Sequence, residues 1–401
     1  MEKLLFFAIR VYCQIEFLLL KLIPSKKENS VLIMRLDAIG DMIIWLDSAK
    51  EFKKHFPTKR LVLLCNAVCS EIAKHLPYFD EVVMIDKNKF LRNFYYRFKI
   101  LGNLKKRTFD QIVNTVFSRD FFVQDTLIHN LQAPIKVGYR GDYQITGITL
   151  AGVGIKHEKY TYLLENLANK WYAVLLNASE QPLMELNRNA DFIRQYIDPS
   201  FQSQLPVIPF QIPVCDQKPN RDYIVLFLGA STLRKVWKMA NYAEITQKIN
   251  PCYAIVLCGG KEDEPHYDEF MIFYSGSSMV KNLIGKTTLI ELFSIIQHAK
   301  FIITNDTSAS HIAVAVRTPS VCLMGGAHYG RFQPYAVESI NEEEMNYLPK
   351  VANCFMDCYG CNHICRFIPD KKTTYPCIAH ISPQLVLEKI NELERDLQPI
   401  S

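Results

Sequence analysis

The chain has 401 residues, 49% of them apolar and 22% charged, with a formal net charge of +5. That length suits two domains of ordinary size, and the composition is globular rather than disordered. So mild a positive charge, with no nucleic-acid motif beside it, gives no case for a nucleic-acid partner.

From the start of the chain, Leu4 to Ile23 is apolar but interrupted by Arg10, Gln14, Glu16 and Lys21. It lacks the nearly uncharged run of about 20 residues that a spanning helix wants, and the unbroken apolar core of a signal peptide. Leu4, Phe7, Ala8, Val11, Tyr12, Ile15, Leu18, Leu19 and Leu22 recur at helical spacing and form one apolar stripe. Two readings compete. The helix packs on its own protein, or it lies in a membrane interface. Either way the chain is expected in the cytoplasm, and the second reading makes it peripheral on the inner face of the cytoplasmic membrane.

After a polar break from Pro24 to Ser30, strands are expected at Val31–Leu36, Leu61–Cys65, Val82–Ile85, Gln111–Thr115 and Ile135–Tyr139, and helices at Tyr160–Leu176 and Leu186–Ile197. Such alternation implies a parallel sheet with right-handed crossovers. Between the third and fourth strands, Lys87 to Arg107 holds eight cations and no acid. Charge of one sign collects anionic partners or a membrane surface, so Lys105, Lys106 and Arg107, with Gly40, are the acceptor-side candidates. The alternative is a solvated helix face.

Pro199, Pro206, Pro209, Pro213 and Pro219 then forbid helix and interior strand, which makes residues 199–221 a linker. The plan repeats with strands expected at Tyr223–Phe227, Ala254–Leu257, Lys281–Ile284, Phe301–Thr304 and Ser320–Met324. The expected organisation is an N-terminal helix (1–24), a first doubly wound domain (25–198), the linker, a second such domain (222–350), and a cysteine-rich tail ending in a helix from about Ser382 to Leu397 (351–401). Of twelve cysteines, seven are scattered and read as small buried hydrophobes. Cys354, Cys358, Cys361, Cys365 and Cys377 cluster in the tail. Their spacing admits a structural zinc, an iron–sulfur centre, reversible disulfides or free thiols.

Three strand-to-helix turns carry chemistry. In the first, RLDAIGD, Gly40 permits a tight turn and Asp41 lands at the start of a helix, as dipole partner or as base. In the second, LGASTLRKVW, Gly229, Ser231, Thr232 and Lys235 suit a phosphate cradle without Walker spacing. In the third, NDTSASHIAVAVRTPSVCLMG, Asp306, Thr307 and Ser308 open a helix and His311 follows one turn on. Helix starts at strand C-terminal ends attract phosphate. A fourth turn, GGKEDE, offers Lys261 and Glu264, as ribose ligands or as an exposed helix start.

In this order and spacing, over residues 30 to 330, the three segments resemble glycosyltransferase family 9, the family of the lipopolysaccharide heptosyltransferases. Ser308 stands where that family usually has glycine, Lys238 where proline is common, and the cysteine-rich tail exceeds the usual core. The resemblance implies the GT-B architecture, two doubly wound Rossmann-like domains facing a central cleft, with Asp41 as base and Lys235 on the donor diphosphate. Its implied partners are a nucleotide-diphosphate sugar and an anionic glycolipid acceptor. One carboxylate and a cationic cradle suffice for a single inverting displacement. No acidic pair of the DxD type stands out, so no catalytic cofactor is expected. Two rival readings are a nucleotide-sugar 2-epimerase on the same two domains and a non-catalytic scaffold.

Overall fold

The computed structural model describes residues 2–141, 148–150, 153–155, 158–179, 181, 183–362, 365–367 and 373–396. The chain divides into two compact units, Met1–Met42 with Ser48–Glu180 and Arg188–Phe201, and Ile43–Asp47 with Gln181–Asn187 and Gln202–Ser401.

The chain opens with α1 (Glu2–Lys21), β1 (Ser30–Arg35), α2 (Ile39–His55), β2 (Arg60–Asn66), β3 (Glu81–Ile85), α3 (Lys87–Arg92) and α4 (Phe94–Lys105). It continues with β4 (Gln111–Asn114), β5 (Ile135–Tyr139), α5 (Glu158–Asn169), β6 (Val174–Leu176) and α6 (Glu185–Tyr196). The six strands form one parallel sheet in the order β6-β5-β4-β1-β2-β3. Helices on both faces bury β1 along its whole length, which is why it reads as a continuous apolar run.

The second half runs β7 (Tyr223–Phe227), α7 (Met239–Lys248), β8 (Ala254–Cys258), α8 (Glu264–Phe273), β9 (Val280–Asn282) and α9 (Leu289–Gln297). Then come β10 (Ile302–Asn305), α10 (Ser308–Ala315), β11 (Ser320–Met324), β12 (Lys350–Asn353) and α11 (Pro383–Asp396). Its six strands are again all parallel, in the order β9-β8-β7-β10-β11-β12. In each sheet the winding reverses between the first and fourth strands. The C-terminal ends of β1 and β4, and of β7 and β10, are therefore the switch points where open α/β sheets take ligands.

Residues 199–221 hold neither helix nor strand, as their prolines dictate. Three expectations are corrected. The helix expected over Tyr160–Leu176 stops at Asn169, and Val174–Leu176 is a sixth strand registered on Val137–Tyr139. The expected tail boundary at 350 cuts through β12, which pairs with β11. The tail is part of the second domain: α11 packs on α7, β11 and β12, and the buried Trp237 indole donates to the Ile381 carbonyl at 2.9 Å.

The third correction concerns α1. Its packing side is Ile9, Cys13, Glu16 and Leu20, all buried. Of the two readings of the apolar stripe, packing on the protein is the one overturned: Phe7, Val11, Ile15, Leu18 and Leu22 are exposed, as are Ala8, Tyr12 and Leu19; the Leu4 side chain lies outside the described ones. A charge fixes this choice. The Glu16 Oε2 accepts from Arg97 Nη2 and from Asn130 Nδ2, each at 2.8 Å. Arg97 also donates to the Phe122 carbonyl at 2.7 Å and to Thr126 Oγ1 at 2.8 Å. Both side chains are almost fully buried, so each depends on the other for its solvation.

Replacing one member of such a pair strands the other charge, at about 3–5 kcal/mol. Glu16→Ala is expected to lower the urea-unfolding free energy by about that amount; a loss under about 1 kcal/mol would mean that water reaches Arg97.

Candidate active site

In the first unit, the loop after β1 is built on the Arg35 side chain, which is fully buried. Its guanidinium ion-pairs Asp37 at 3.1 Å and donates to the carbonyls of Thr115 and Asp41, each at 3.2 Å, and to Asn189 Oδ1 at 3.1 Å. The Asn66 amide holds the Asp37 carbonyl at 3.0 Å. Gly40 and Asp41 thus sit in a braced first turn of α2, at the switch point. Asp41 is partly exposed, and its Oδ2 accepts from the Ala38 N–H at 3.3 Å. The carboxylate therefore serves as a helix-start acceptor while remaining open to solvent.

The other acceptor-side candidates are corrected. Lys105 is buried, donates to the Asn130 carbonyl at 2.8 Å, and lies over the Phe17 ring. Arg107 ion-pairs Glu28 and Glu81, each at 2.8 Å. Glu81 begins β3, so Arg107 lies at the N-terminal edge of the sheet, the end opposite Asp41. Lys106 is exposed, and its carbonyl accepts from Lys26 N–H at that same edge. Of the three cations on α4, Arg97 and Lys105 turn into the core and Lys99 to solvent.

In the second unit, two turns meet at the switch point of β7 and β10. Thr232 caps a short turn, Leu233–Lys235, accepting from Arg234 N–H. Lys235 Nζ then reaches the start of α10, 2.8 Å from Asp306 Oδ2 and 3.0 Å from the Asp306 carbonyl. Thr307 caps α10, accepting from Ala309 N–H at 3.3 Å, and Ser308 is its first residue. N–H groups at a helix start lack partners within the helix and favour an anion. Burial alone would raise the Asp306 carboxyl; the Lys235 ammonium, with smaller help from His311 and His328, outweighs it and holds that carboxyl below the usual range.

The sequence reading missed the residue that brings these turns together. Asn305, the last residue of β10, is fully buried. Its amide donates to the carbonyls of Leu228 and Gly229, each at 3.0 Å, and its oxygen accepts from Trp237 N–H at 3.2 Å. One side chain so pins both ends of the segment that presents Ser231, Thr232 and Lys235. The available signal was an asparagine closing an apolar strand, where no water can satisfy its amide.

His311 is also part of this cluster. It is buried, with Nδ1 2.8 Å from the Tyr335 hydroxyl, and burial lowers its imidazole to about 4. At neutral pH it is an uncharged hydrogen-bonding group. Lys261, on the turn after β8, and Glu264, the first residue of α8, are exposed, and Asp263 is the carboxylate that turns inward. A Cβ on Gly229 would fall 1.9 Å from Asp263 Oδ1, so glycine there admits the carboxylate to the edge of the cradle. Burial raises the Asp263 carboxyl.

In the tail, Cys377 Sγ accepts from the Gly326 N–H at 3.4 Å. Burial pushes the Cys377 thiol up, with Cys361, Cys358 and Cys365 adding to the shift. Among the described residues no group of three or more His, Cys, Asp or Glu is placed to hold a metal.

The family described as "Glycosyltransferase family 9 (heptosyltransferase)" matches residues 97–359. Lipopolysaccharide heptosyltransferase 2 of Salmonella typhimurium is 23% identical over 306 residues, 74% of this chain and 82% of the relative. Lipooligosaccharide heptosyltransferase 2 of Campylobacter jejuni is 21% identical over 88% of this chain and 95% of its own. Among solved structures, the ADP-heptose heptosyltransferase II of E. coli superposes with a TM-score of 0.62 at 20% identity, covering 91% of this chain and 98% of its own. The E. coli heptosyltransferase WaaC with ADP gives 0.63 at 14% identity over 92% and 100%. The fold they share with this chain is GT-B.

The buried His311 sets a pH dependence. An unfolded imidazole takes up its proton near pH 6.5, the folded one only at about 4. Between these values the unfolded state binds more protons, so stability rises with pH. The contribution is full above about 6.5 and is lost as pH falls to about 4. His311→Gln is expected to flatten the fall in urea midpoint over that window. A fall as steep as the parent's would mean that His311 is protonated in the folded state.

Proposed function

The chain belongs to glycosyltransferase family 9, and from that premise we propose that it moves a heptose from ADP-heptose to a lipopolysaccharide core acceptor, inverting the anomeric centre without a metal. That it is a glycosyltransferase follows from the family; the donor, acceptor and mechanism are this reading. The observation that carries it is the Lys235–Asp306 pair at the start of α10, set at the switch point of a doubly wound sheet. The E. coli relative WaaC has been solved with ADP-2-deoxy-2-fluoro heptose, superposing at a TM-score of 0.61.

In the reaction the acceptor hydroxyl gives its proton to Asp41 as its oxygen attacks the anomeric carbon. The bond from that carbon to the diphosphate oxygen breaks, and its electron pair leaves on ADP. One displacement inverts the configuration. The growing phosphate charge meets the Lys235 ammonium and the N–H groups that open α10, which are already oriented before the reaction begins. Asp306 holds Lys235 in place. Asn305 fixes the loop that carries Lys235, as a positioning residue. His311, neutral and with Nδ1 held by the Tyr335 hydroxyl, offers Nε2 to a sugar or phosphate oxygen without adding a second fixed charge.

The direct test is incubation with ADP-heptose and a heptose-deficient core acceptor, with ADP release and acceptor mass as readouts. A UDP- or GDP-sugar used in its place would overturn the donor. Asp41→Asn is expected to cut turnover about 10²–10⁴-fold while the calorimetric affinity for ADP stays within about twofold, under half a kcal/mol. Turnover within about threefold of the parent, outside the range for base removal, would exclude Asp41 as base.

Lys235→Ala is expected to weaken ADP binding and to lower turnover further, because the cation meets more charge in the transition state than in the ground state. Transfer is expected to survive excess EDTA. Activity lost to EDTA and restored by Mg²⁺ or Mn²⁺ would put the diphosphate on a metal instead.

A further inference from the structure

We propose that the outer face of α1 is a docking surface for an anionic lipid bilayer, holding the first domain flat against the membrane. The inference is independent of the sugar-transfer reading, because it rests on another face and is tested without substrate.

The two sides of α1 are inverted relative to an ordinary surface helix. At 3.6 residues per turn, Ile9, Cys13, Glu16 and Leu20 share one side and Phe7, Val11, Ile15, Leu18 and Leu22 the opposite one. The first side, which carries the acid, is buried in the domain; the second is solvent-exposed, Phe7 at 63% and Leu22 at 81%. The neighbouring α4, which packs on α1, also exposes Phe94 at 61% and Tyr95 at 77%. A globular domain rarely presents so many large apolar side chains together unless something covers them.

The charge around this face selects the cover. Between Phe6 and Lys27 the sole acid is Glu16, which is consumed by Arg97, and the exposed charges are Arg10, Lys21, Lys26 and Lys27. Lys87 to Arg107 adds exposed Lys99 and Lys106 and contains no acid. An apolar stripe flanked by cations fits acyl chains below and anionic headgroups around. A second copy of the same face would set cation against cation. Insertion is shallow: among the described residues no helix is long and apolar enough to cross a membrane, and the Glu16–Arg97 pair keeps α1 on its domain.

The test is co-sedimentation of the full chain with phosphatidylglycerol–phosphatidylethanolamine vesicles and with phosphatidylcholine vesicles. Binding is expected to the first and at least about tenfold weaker to the second, the loss of one or two headgroup–cation attractions being enough for that. The quadruple variant Phe7→Ser, Ile15→Ser, Leu18→Ser, Leu22→Ser is expected to lose at least about tenfold in partitioning, less than full insertion of one such side chain supplies. Because these side chains are exposed, its melting temperature should match the parent's.

A second variant, Arg10→Gln with Lys21→Gln and Lys27→Gln, is expected to bind weakly and to lose the parent's salt dependence, since screening reaches about 4 Å at 0.5 M salt. Three results would overturn the proposal. One is sedimentation no greater with anionic vesicles than without; another is parental binding by both variants. The third is a parent dimer, broken by the quadruple variant, with no vesicle binding, which would assign the face to a second copy.

Discussion

The site depends on one buried amide. Asn305 ends a strand with its side chain fully buried, so its amide needs partners away from bulk water. It finds them on the backbone of the β7 loop, two carbonyls on one side and the Trp237 N–H on the other. That arrangement sets the height of the loop above the sheet, and with it the reach of Lys235 to Asp306. An ammonium and a carboxylate 2.8 Å apart on two separate turns persist only if both turns are held, because a flexible pair would spend its attraction on ordering its own side chains. Asn305 removes that cost by fixing the backbone that carries both.

The first domain uses a charge in a comparable way for a different end. Arg35 is buried at the end of β1 and gathers Asp37, the carbonyls of Thr115 and Asp41, and Asn189. The turn bearing Asp41 is therefore rigid, while the carboxylate keeps contact with solvent. Glu16 and Arg97 do this for a whole helix. The pair is satisfied by Asn130, Thr126 and the Phe122 carbonyl, which is what a buried ion pair needs if it is not to destabilise its surroundings. Its effect is specificity: it determines which side of α1 faces inward, against the pull of a larger apolar side that faces out.

The sequence by itself determined the class of fold and the positions of the turns that carry chemistry. Ten of the twelve strands in the two six-stranded sheets follow from apolar runs and the turn residues that end them, a pattern that period and breakers reveal. The ordered turns RLDAIGD, LGASTLRKVW and NDTSASHIAVAVRTPS placed Asp41, Lys235 and Asp306 in the turns after strands and His311 one helical turn further on. The two strands it missed in these sheets, Val174–Leu176 and Lys350–Asn353, sit at sheet edges, where three or four residues suffice and the partner strand supplies the order.

What only the tertiary structure decided is which neighbours each of these residues meets. Lys105 and Arg107 look like free cations in a basic run, yet one is buried on a carbonyl and the other is shared by two glutamates. Glu264 and Asp263 are one residue apart, and the inward one is set by the space that Gly229 leaves open. The orientation of α1 turned on a glutamate that helical periodicity counts as a polar interruption. Periodicity reports which side chains share a face, since that follows from backbone geometry alone. It does not report which face turns inward when a buried cation elsewhere in the chain must be solvated, because that partner is joined through the fold and not along the chain.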